Sequence, residues 1–204
     1  MRWVALSAAV VALVSISSTF GFATVVQVLP GLFDPDGTGI VTAHWVTRVG
    51  LPDDVGKANH ALFLQKDGPT SVNAAAFAII GGVEGLTLTE LGFDYRSDGH
   101  CGAGAPRFNV TLPDGRYFFF GCVYGKPQEL PSAPDWTRIR WKDGEGTVFP
   151  AGNYEWPGFG EFGVVVQSIA IVFDEGTDVG GGSVLLDNIN INGSLIGKPA
   201  ERTP

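Results

Sequence analysis

The chain is poor in the residues that carry most protein chemistry, with two cysteines, three histidines and one methionine in 204 positions. Charge is scarce too. Only 17% of residues are charged, and 13 Lys and Arg face 21 Asp and Glu, for a formal net charge of -8. With that balance and no Lys/Arg cluster, the chain has no electrostatic footing on phosphate, which argues against a nucleic-acid partner. No G-x-S-x-G elbow, H-E-x-x-H pair or P-loop pattern occurs, so these signatures of nucleophilic, zinc and nucleotide chemistry are missing. His44 and His60 fall on or beside expected strands without recognisable partners, and His100, next to Cys101, is the best placed of the three. Long helices are also excluded, because 29 glycines and 13 prolines recur too often for a bundle or coiled coil.

What is present suits one loop-rich β domain. Hydrophobic residues make up 45%, too many for disorder and enough for a core. One long apolar run exists, at the N-terminus: Met1-Arg2 precedes Val4–Val14, and Gly21-Phe22-Ala23 gives a small-x-small pattern. This predicts an export signal over residues 1–23, a domain over 24–197 and a disordered tail over 198–204. The rival is an uncleaved anchor, since no charge lies between Arg2 and Asp34. Against it, Ser15, Ser17, Ser18 and Thr19 interrupt the run, and Thr24–Leu29 alternates like a first strand. After cleavage no segment remains that can span a membrane, so the expected location is secreted or cell-surface.

Period-two patterns predict strands at Ile40–Arg48, His60–Lys66, Ala76–Ile80, Leu86–Arg96, Arg107–Leu112, Arg116–Cys122, Trp136–Trp141, Val164–Phe173 and Ser183–Asn192. Turn clusters such as Asp67-Gly68-Pro69 and Gly180-Gly181-Gly182 separate them. About eight or nine antiparallel strands of this kind indicate an all-β fold, a β-sandwich of jelly-roll type. Ala74–Ile80 is the one stretch that could instead be a short helix. Phe108, Val110 and Leu112 should face inward, as should Val165, Ile169, Ile171 and Phe173. The phase slips within Leu86–Arg96, which predicts a β-bulge near Glu90. Tyr117–Phe120 is apolar on both faces and reads as a central, doubly covered strand.

Arg107–Leu112 and Arg116–Cys122 flank Pro113-Asp114-Gly115, a hairpin turn. Folding about Asp114 sets Cys122 opposite Pro106, just beyond the loop carrying Cys101, so a Cys101–Cys122 disulfide is expected in an oxidising compartment. It would contribute about 3 kcal/mol. A metal site from His100, Cys101 and Cys122 is the sharper alternative but lacks a fourth ligand. Asn109-Val-Thr and Asn192-Gly-Ser match the glycosylation acceptor pattern, equally well read as chance.

Three segments resemble the jelly-roll carbohydrate-binding modules of galactose-binding-like fold. Ser183-Val-Leu-Leu-Asp-Asn-Ile-Asn-Ile-Asn-Gly193 is similar to their closing strand. Ile79–Arg96 is similar to their strand–turn–long-strand passage, and Phe33-Asp-Pro-Asp-Gly37, before a strand containing Trp45, to their N-terminal turn and first core strand. The resemblance is one of fold and does not carry function by itself. It implies a structural calcium on Asp187, with Asp34 or Asp36 as partner. The residues add their own reason: Asp187 shares a face with Leu185, Ile189 and Ile191, so its carboxylate should point inward and need a cation or N–H donors.

Sugar recognition needs aromatic planes and hydroxyl-binding groups. On Trp136–Trp141, Thr137, Ile139 and Trp141 should face the core, leaving Trp136, Arg138 and Arg140 on the open face. Asn153–Phe159 forms a loop bearing Tyr154 and Trp156. Trp136 and Trp156 would stack on sugar rings, and the arginines would bind hydroxyls or an acidic sugar's carboxylate. The expected function is therefore non-catalytic recognition of an extracellular glycan or polysaccharide. The alternatives are a structural or adhesive cell-surface protein and a small secreted glycoside hydrolase. The last needs two carboxylates about 5–10 Å apart, drawn from Glu90, Glu129, Glu145, Glu155, Glu161 and Glu175.

Overall fold

The computed structural model describes residues 26–52, 59–142, 162–176 and 181–199. The expected export signal and the loop carrying Tyr154 and Trp156 lie outside the described residues. Fourteen strands form among them: β1 (Gln27–Phe33), β2 (Val41–Thr47), β3 (His60–Lys66), β4 (Ala75–Gly81), β5 (Thr87–Leu88), β6 (Glu90–Arg96), β7 (Arg107–Thr111), β8 (Tyr117–Gly121), β9 (Lys126–Glu129), β10 (Trp136–Lys142), β11 (Val164–Val165), β12 (Ser168–Phe173), β13 (Gly182–Ile191) and β14 (Ser194–Ile196). Five make one sheet in the order β1-β4-β12-β7-β8. The opposing sheet runs β2-β3-β13-β6-β10-β9, with β14 paired to β13, and β5 and β11 form a separate ribbon. This is the expected β-sandwich of jelly-roll type, with the expected strands Leu86–Arg96 and Val164–Phe173 each divided in two, as β5 and β6 and as β11 and β12, and the short strands β9 and β14 added.

Alternation builds the core. Ala76, Ala78, Ile80, Phe108, Val110, Ile169, Ile171 and Phe173 come from one sheet; Leu62, Leu64, Leu91, Phe93, Ile139, Val184 and Leu186 come from the other. Trp141 of β10 pins the layers together. Its ring meets Phe93 at 5.4 Å within its own sheet, and Phe108 at 5.7 Å and Phe120 at 6.1 Å across the sandwich, all edge-on. Such pairs are worth about 0.5–1.5 kcal/mol each beyond the area they bury.

The β7–β8 hairpin follows its sequence. Gly115 sits at φ 86 and its N–H closes the turn onto the Leu112 carbonyl at 3.0 Å. The Phe108↔Phe120 register then brings the Cys122 N–H to Pro106 O at 3.0 Å. Cys101 and Cys122 are joined as a disulfide with Cα atoms 5.2 Å apart, which removes both thiols from any metal site.

Several expectations are corrected. The stretch that could have been a helix is β4, where Ala76, Ala78 and Ile80 are buried on one side and Ile79 is exposed on the other. β8 is an edge strand rather than a central one, and Tyr117 is exposed. Val165 faces solvent and Val166 is buried in its place, because β11 leaves the sheet to pair with β5 before β12 begins. No bulge occurs at Glu90. The phase slip is a change of sheet at Thr89, held by Asn192, whose Oδ1 accepts from the Thr89 and Glu90 amides at 2.7 and 3.1 Å while its Nδ2 donates to Thr87 O at 2.7 Å. The bulge lies instead on β13, between Asp187 and Asn190, where Asn188 takes φ 46.

Candidate functional site

The face of the seven-stranded sheet that points away from the core carries a cluster of charge. In β6, Leu91 and Phe93 enter the core, so Glu90, Gly92 and Asp94 project the other way. In β10, Ile139 and Trp141 enter the core, so Trp136, Arg138 and Arg140 share that outer face, as the alternation predicted. The register sets Arg138 opposite Asp94 and Arg140 opposite Gly92. Asp187 of β13 lies opposite Asp94 on its other side.

Asp94 is the hub. Its side chain is fully buried and takes a bidentate bond from Arg138, Nε to Oδ1 and Nη2 to Oδ2, both at 2.9 Å. Asn188 Nδ2 donates to Oδ2 at 2.9 Å, and Arg140 Nη1 lies 3.2 Å from Oδ1. A buried carboxylate is tolerated only with such partners. The two arginines then part company. Arg138 keeps 27% of its side chain exposed, and its bond to Asp94 raises its pKa above the ordinary guanidinium value. Arg140 is 7% exposed; burial lowers its pKa, against the pull of Asp94. Its Nη1 also donates to Phe93 O and Ile139 O at 3.1 and 2.8 Å. Gly92 makes this possible, since a Cβ there would run into Arg140 Cδ and Nη1.

The network continues along β13. Asn190 Nδ2 donates to Glu90 Oε1 at 2.6 Å, and Asn190 Oδ1 accepts from the Gly193 amide at 2.8 Å. Across the same face, on β2 and β3, exposed His44 lies 5.4 Å from Phe63, which in turn pairs with Leu185. One side of the sheet is thus aromatic and the other charged, separated by roughly 19 Å at about 4.8 Å per strand.

The expected site residues are therefore distributed unevenly. Arg138 is presented on this face. Arg140 props it from beneath, and Trp136 is only 7% exposed, so its ring offers little surface for stacking. Tyr154 and Trp156 lie outside the described residues. Sequence reasoning missed Asp94, Asn188, Gly92 and the His44–Phe63 pair. A signal for Asp94 existed: it alternates with Leu91, Phe93 and Tyr95, which puts it beside the arginines.

The aspartates expected to hold calcium do not converge. Asp34 Oδ1 accepts from the Thr38 amide and hydroxyl at 2.9 and 2.8 Å, and Oδ2 from the Gly39 amide at 2.7 Å. These bonds, Gly39 first, lower its pKa. Asp36 is exposed in the same turn. Asp187 is buried, as expected, but on the outer face with Leu185, because the bulge reverses the phase before Ile189 and Ile191. Its Oδ2 accepts from the Leu51 amide and its Oδ1 from the Asn188 amide, the latter at 2.8 Å. Carboxylates turned onto N–H donors do not form the oxygen cage of a hard cation, so these residues as placed do not fit calcium. Among the described residues no group of three or more His, Cys, Asp or Glu could hold a metal ion.

No protein-family model matches the chain, and no curated protein matches it either. Two solved structures are similar to it. One is the family 11 carbohydrate-binding module of the cellulosomal cellulase Lic26A-Cel5E of Clostridium thermocellum, at 15% identity and TM-score 0.41, covering 86% of this chain and 91% of that one. The other is the family 11 module from Clostridium thermocellum in complex with a β-1,3-1,4-mixed-linked tetrasaccharide, at 16% identity and TM-score 0.37, covering 86% and 98%. Among the described residues no helix is long and apolar enough to cross a membrane.

Proposed function

We propose that this chain is an exported, non-catalytic module that binds an extracellular glycan on the outer face of its seven-stranded sheet. The observation that carries this reading is Arg138. Two of its N–H groups are locked on buried Asp94, which fixes the guanidinium, while the side chain stays partly open to solvent on a broad sheet face. A planar donor held this way suits vicinal hydroxyls or a sugar carboxylate, because little entropy remains to be lost on binding. His44 and Phe63 supply ring surface across the same face, far enough away to favour an extended oligosaccharide over a single sugar. Tyr154 and Trp156 are the further stacking residues in this reading. Hydrolysis needs two carboxylates facing a common cleft, and on this face Asp94 is fully buried beneath Arg138 and Arg140.

A glycan array followed by polysaccharide pull-down tests the proposal. Wild-type chain should retain at least one glycan, and Arg138→Ala, His44→Ala and Trp156→Ala should each weaken it. His44 is exposed, so its variant separates binding from folding. Full retention in all three variants refutes the assigned face, and release of reducing ends would replace the reading with a hydrolase.

A further inference from the structure

A second site lies where β1, β3 and β12 end. A cleft of about 580 Å3 opens there, lined by the end of β1, the β3–β4 connection and the residues just after β12. That volume is within the roughly 300–1,000 Å3 of small-molecule sites. Its walls are tied together by hydrogen bonds and ion pairs. Lys66, fully buried, donates from Nζ to Val72 O at 2.6 Å and Asp174 O at 2.9 Å, tying one wall to the other. Arg107 grips the Asp174 carboxylate with Nη1 to Oδ1 at 2.6 Å and Nη2 to Oδ2 at 2.8 Å. His100 Nε2 lies 3.0 Å from Glu175 Oε2.

Upon this frame sit Thr70, Ser71 and Asn73. All three are exposed and line the cleft, and none of their side chains has a hydrogen-bond partner among the described residues. Phe33, 49% exposed, adds an aromatic surface at the mouth. The chemistry of the lining selects its ligand. The charges are of both signs, and Asp174 is already neutralised by Arg107. An anion would face Glu175, and a cation would face Lys66. Two hydroxyls and a carboxamide both donate and accept, and Glu175 Oε1 is a further acceptor. A ring with hydroxyls on its edge and C–H groups on its face uses all of these.

We infer that this cleft is a second binding site, taking one neutral sugar residue, free or at the end of a chain. The ring lies on Phe33 and its hydroxyls bond Thr70, Ser71, Asn73 and Glu175. The inference rests on the cleft's own lining and stands apart from the sheet-face reading.

Amide-resolved NMR titration of the intact chain tests it. The probes are methyl glycosides of glucose, galactose, mannose and xylose, a neutral tetrasaccharide, and glucosamine and galacturonate as charged controls. At least one neutral probe should shift the Thr70–Ala75, Asp174 and Glu175 amides, more strongly than either charged sugar. Equal shifts from the monosaccharide and the tetrasaccharide identify the end unit as sufficient, and a larger tetrasaccharide effect identifies a chain end; either supports the site. Phe33→Ala should weaken binding by about tenfold, from lost stacking and area, and Asn73→Ala should weaken it as well. Both positions are exposed, so neither variant threatens the fold. Shifts confined to β6 and β10 amides would support the sheet face and overturn the cleft. No shift at the cleft with any neutral probe, preference for a charged sugar, or undiminished binding in both variants overturns it too.

Discussion

Converting Asp94 to Asn should destabilise the fold by about 3 kcal/mol, the low end of the roughly 3–5 kcal/mol for breaking a buried ion pair. The substitution keeps the shape and one acceptor but deletes the charge facing two guanidiniums. Arg138 can recover by hydration, because its side chain is 27% exposed. Arg140 cannot. It is 7% exposed, and its Nη2 is buried without a hydrogen-bond partner among the described residues. Its nearest other carboxylate oxygen, Glu90 Oε1, is 3.9 Å from Nε. The carbonyls of Phe93 and Ile139 still accept from Nη1, which is why the estimate stays at the lower end. For a domain of this size, about 3 kcal/mol is a fall in Tm of roughly 6–12 °C. The assay is urea unfolding of wild type, Asp94→Asn, Arg140→Met and the double variant. Removing the stranded cation should restore at least about 1 kcal/mol relative to Asp94→Asn alone. A single-variant loss under about 0.5 kcal/mol, or simple additivity in the double variant, would refute the hub.

Gly92→Ala should cost about 1–3 kcal/mol, because its Cβ would meet both Arg140 and the Ile139 carbonyl; an unchanged unfolding midpoint would contradict this packing. Breaking Cys101–Cys122, which closes a 21-residue separation, should cost about 3 kcal/mol, read as a drop in urea midpoint for the double Cys→Ser variant and an equal drop for wild type under reductant. Burial lowers the Lys66 pKa, against the pull of Asp174, while the unfolded lysine keeps its proton up to its ordinary 10.5. The unfolded state therefore binds more protons between those two pKa values, and wild-type stability should rise with pH through that window relative to Lys66→Met. Parallel midpoints for the two proteins up to pH 10.5 would contradict the assigned burial. Stripping divalent cations with a chelator should leave the thermal midpoint in place, since N–H donors already meet Asp34 and Asp187. A fall of several degrees would assign a cation to the chain after all.

The fold was legible where alternation and turn chemistry act locally. Phe108, Val110 and Leu112 face inward as their spacing demands, and Pro113-Asp114-Gly115 alone sets the register that unites Cys101 with Cys122. Prediction failed where a strand changes partners. Leu88 and Leu91 are both buried although three apart, and a bulge and a change of sheet leave the same trace in a sequence. Tyr117–Phe120 misled for a different reason. Apolar residues on both faces indicate a central strand only if the outer face is covered, and β8 ends its sheet with Tyr117 in water. The site was half legible. Alternation in Trp136–Trp141 placed the arginines outward, yet the depth of each depends on its cross-strand neighbour, and that pairing is non-local. Gly92 opposite Arg140 lets one guanidinium sink, and Asp94 opposite Arg138 holds the other up.

The bulge in β13 makes the polar cluster possible. Strict alternation onward from Val184 and Leu186, which face the core, would keep Asp187 outside but carry Asn188 and Asn190 into the core and turn Ile189 and Ile191 out. The extra residue at Asn188 changes the phase once. Val184 and Leu186 before it and Ile189 and Ile191 after it all reach the core, while Asp187, Asn188 and Asn190 all gather outside. Asparagine is the side chain this position calls for. It tolerates φ 46 at little steric cost, and its carboxamide then reaches Asp94. One residue thus supplies the backbone irregularity that keeps Asn188 and Asn190 outside with Asp187 and a hydrogen bond that holds the central carboxylate. A regular strand in its place would bury Asn188 and Asn190 between the sheets, and Asp94 would lose the Asn188 bond that helps it hold Arg138 at the surface.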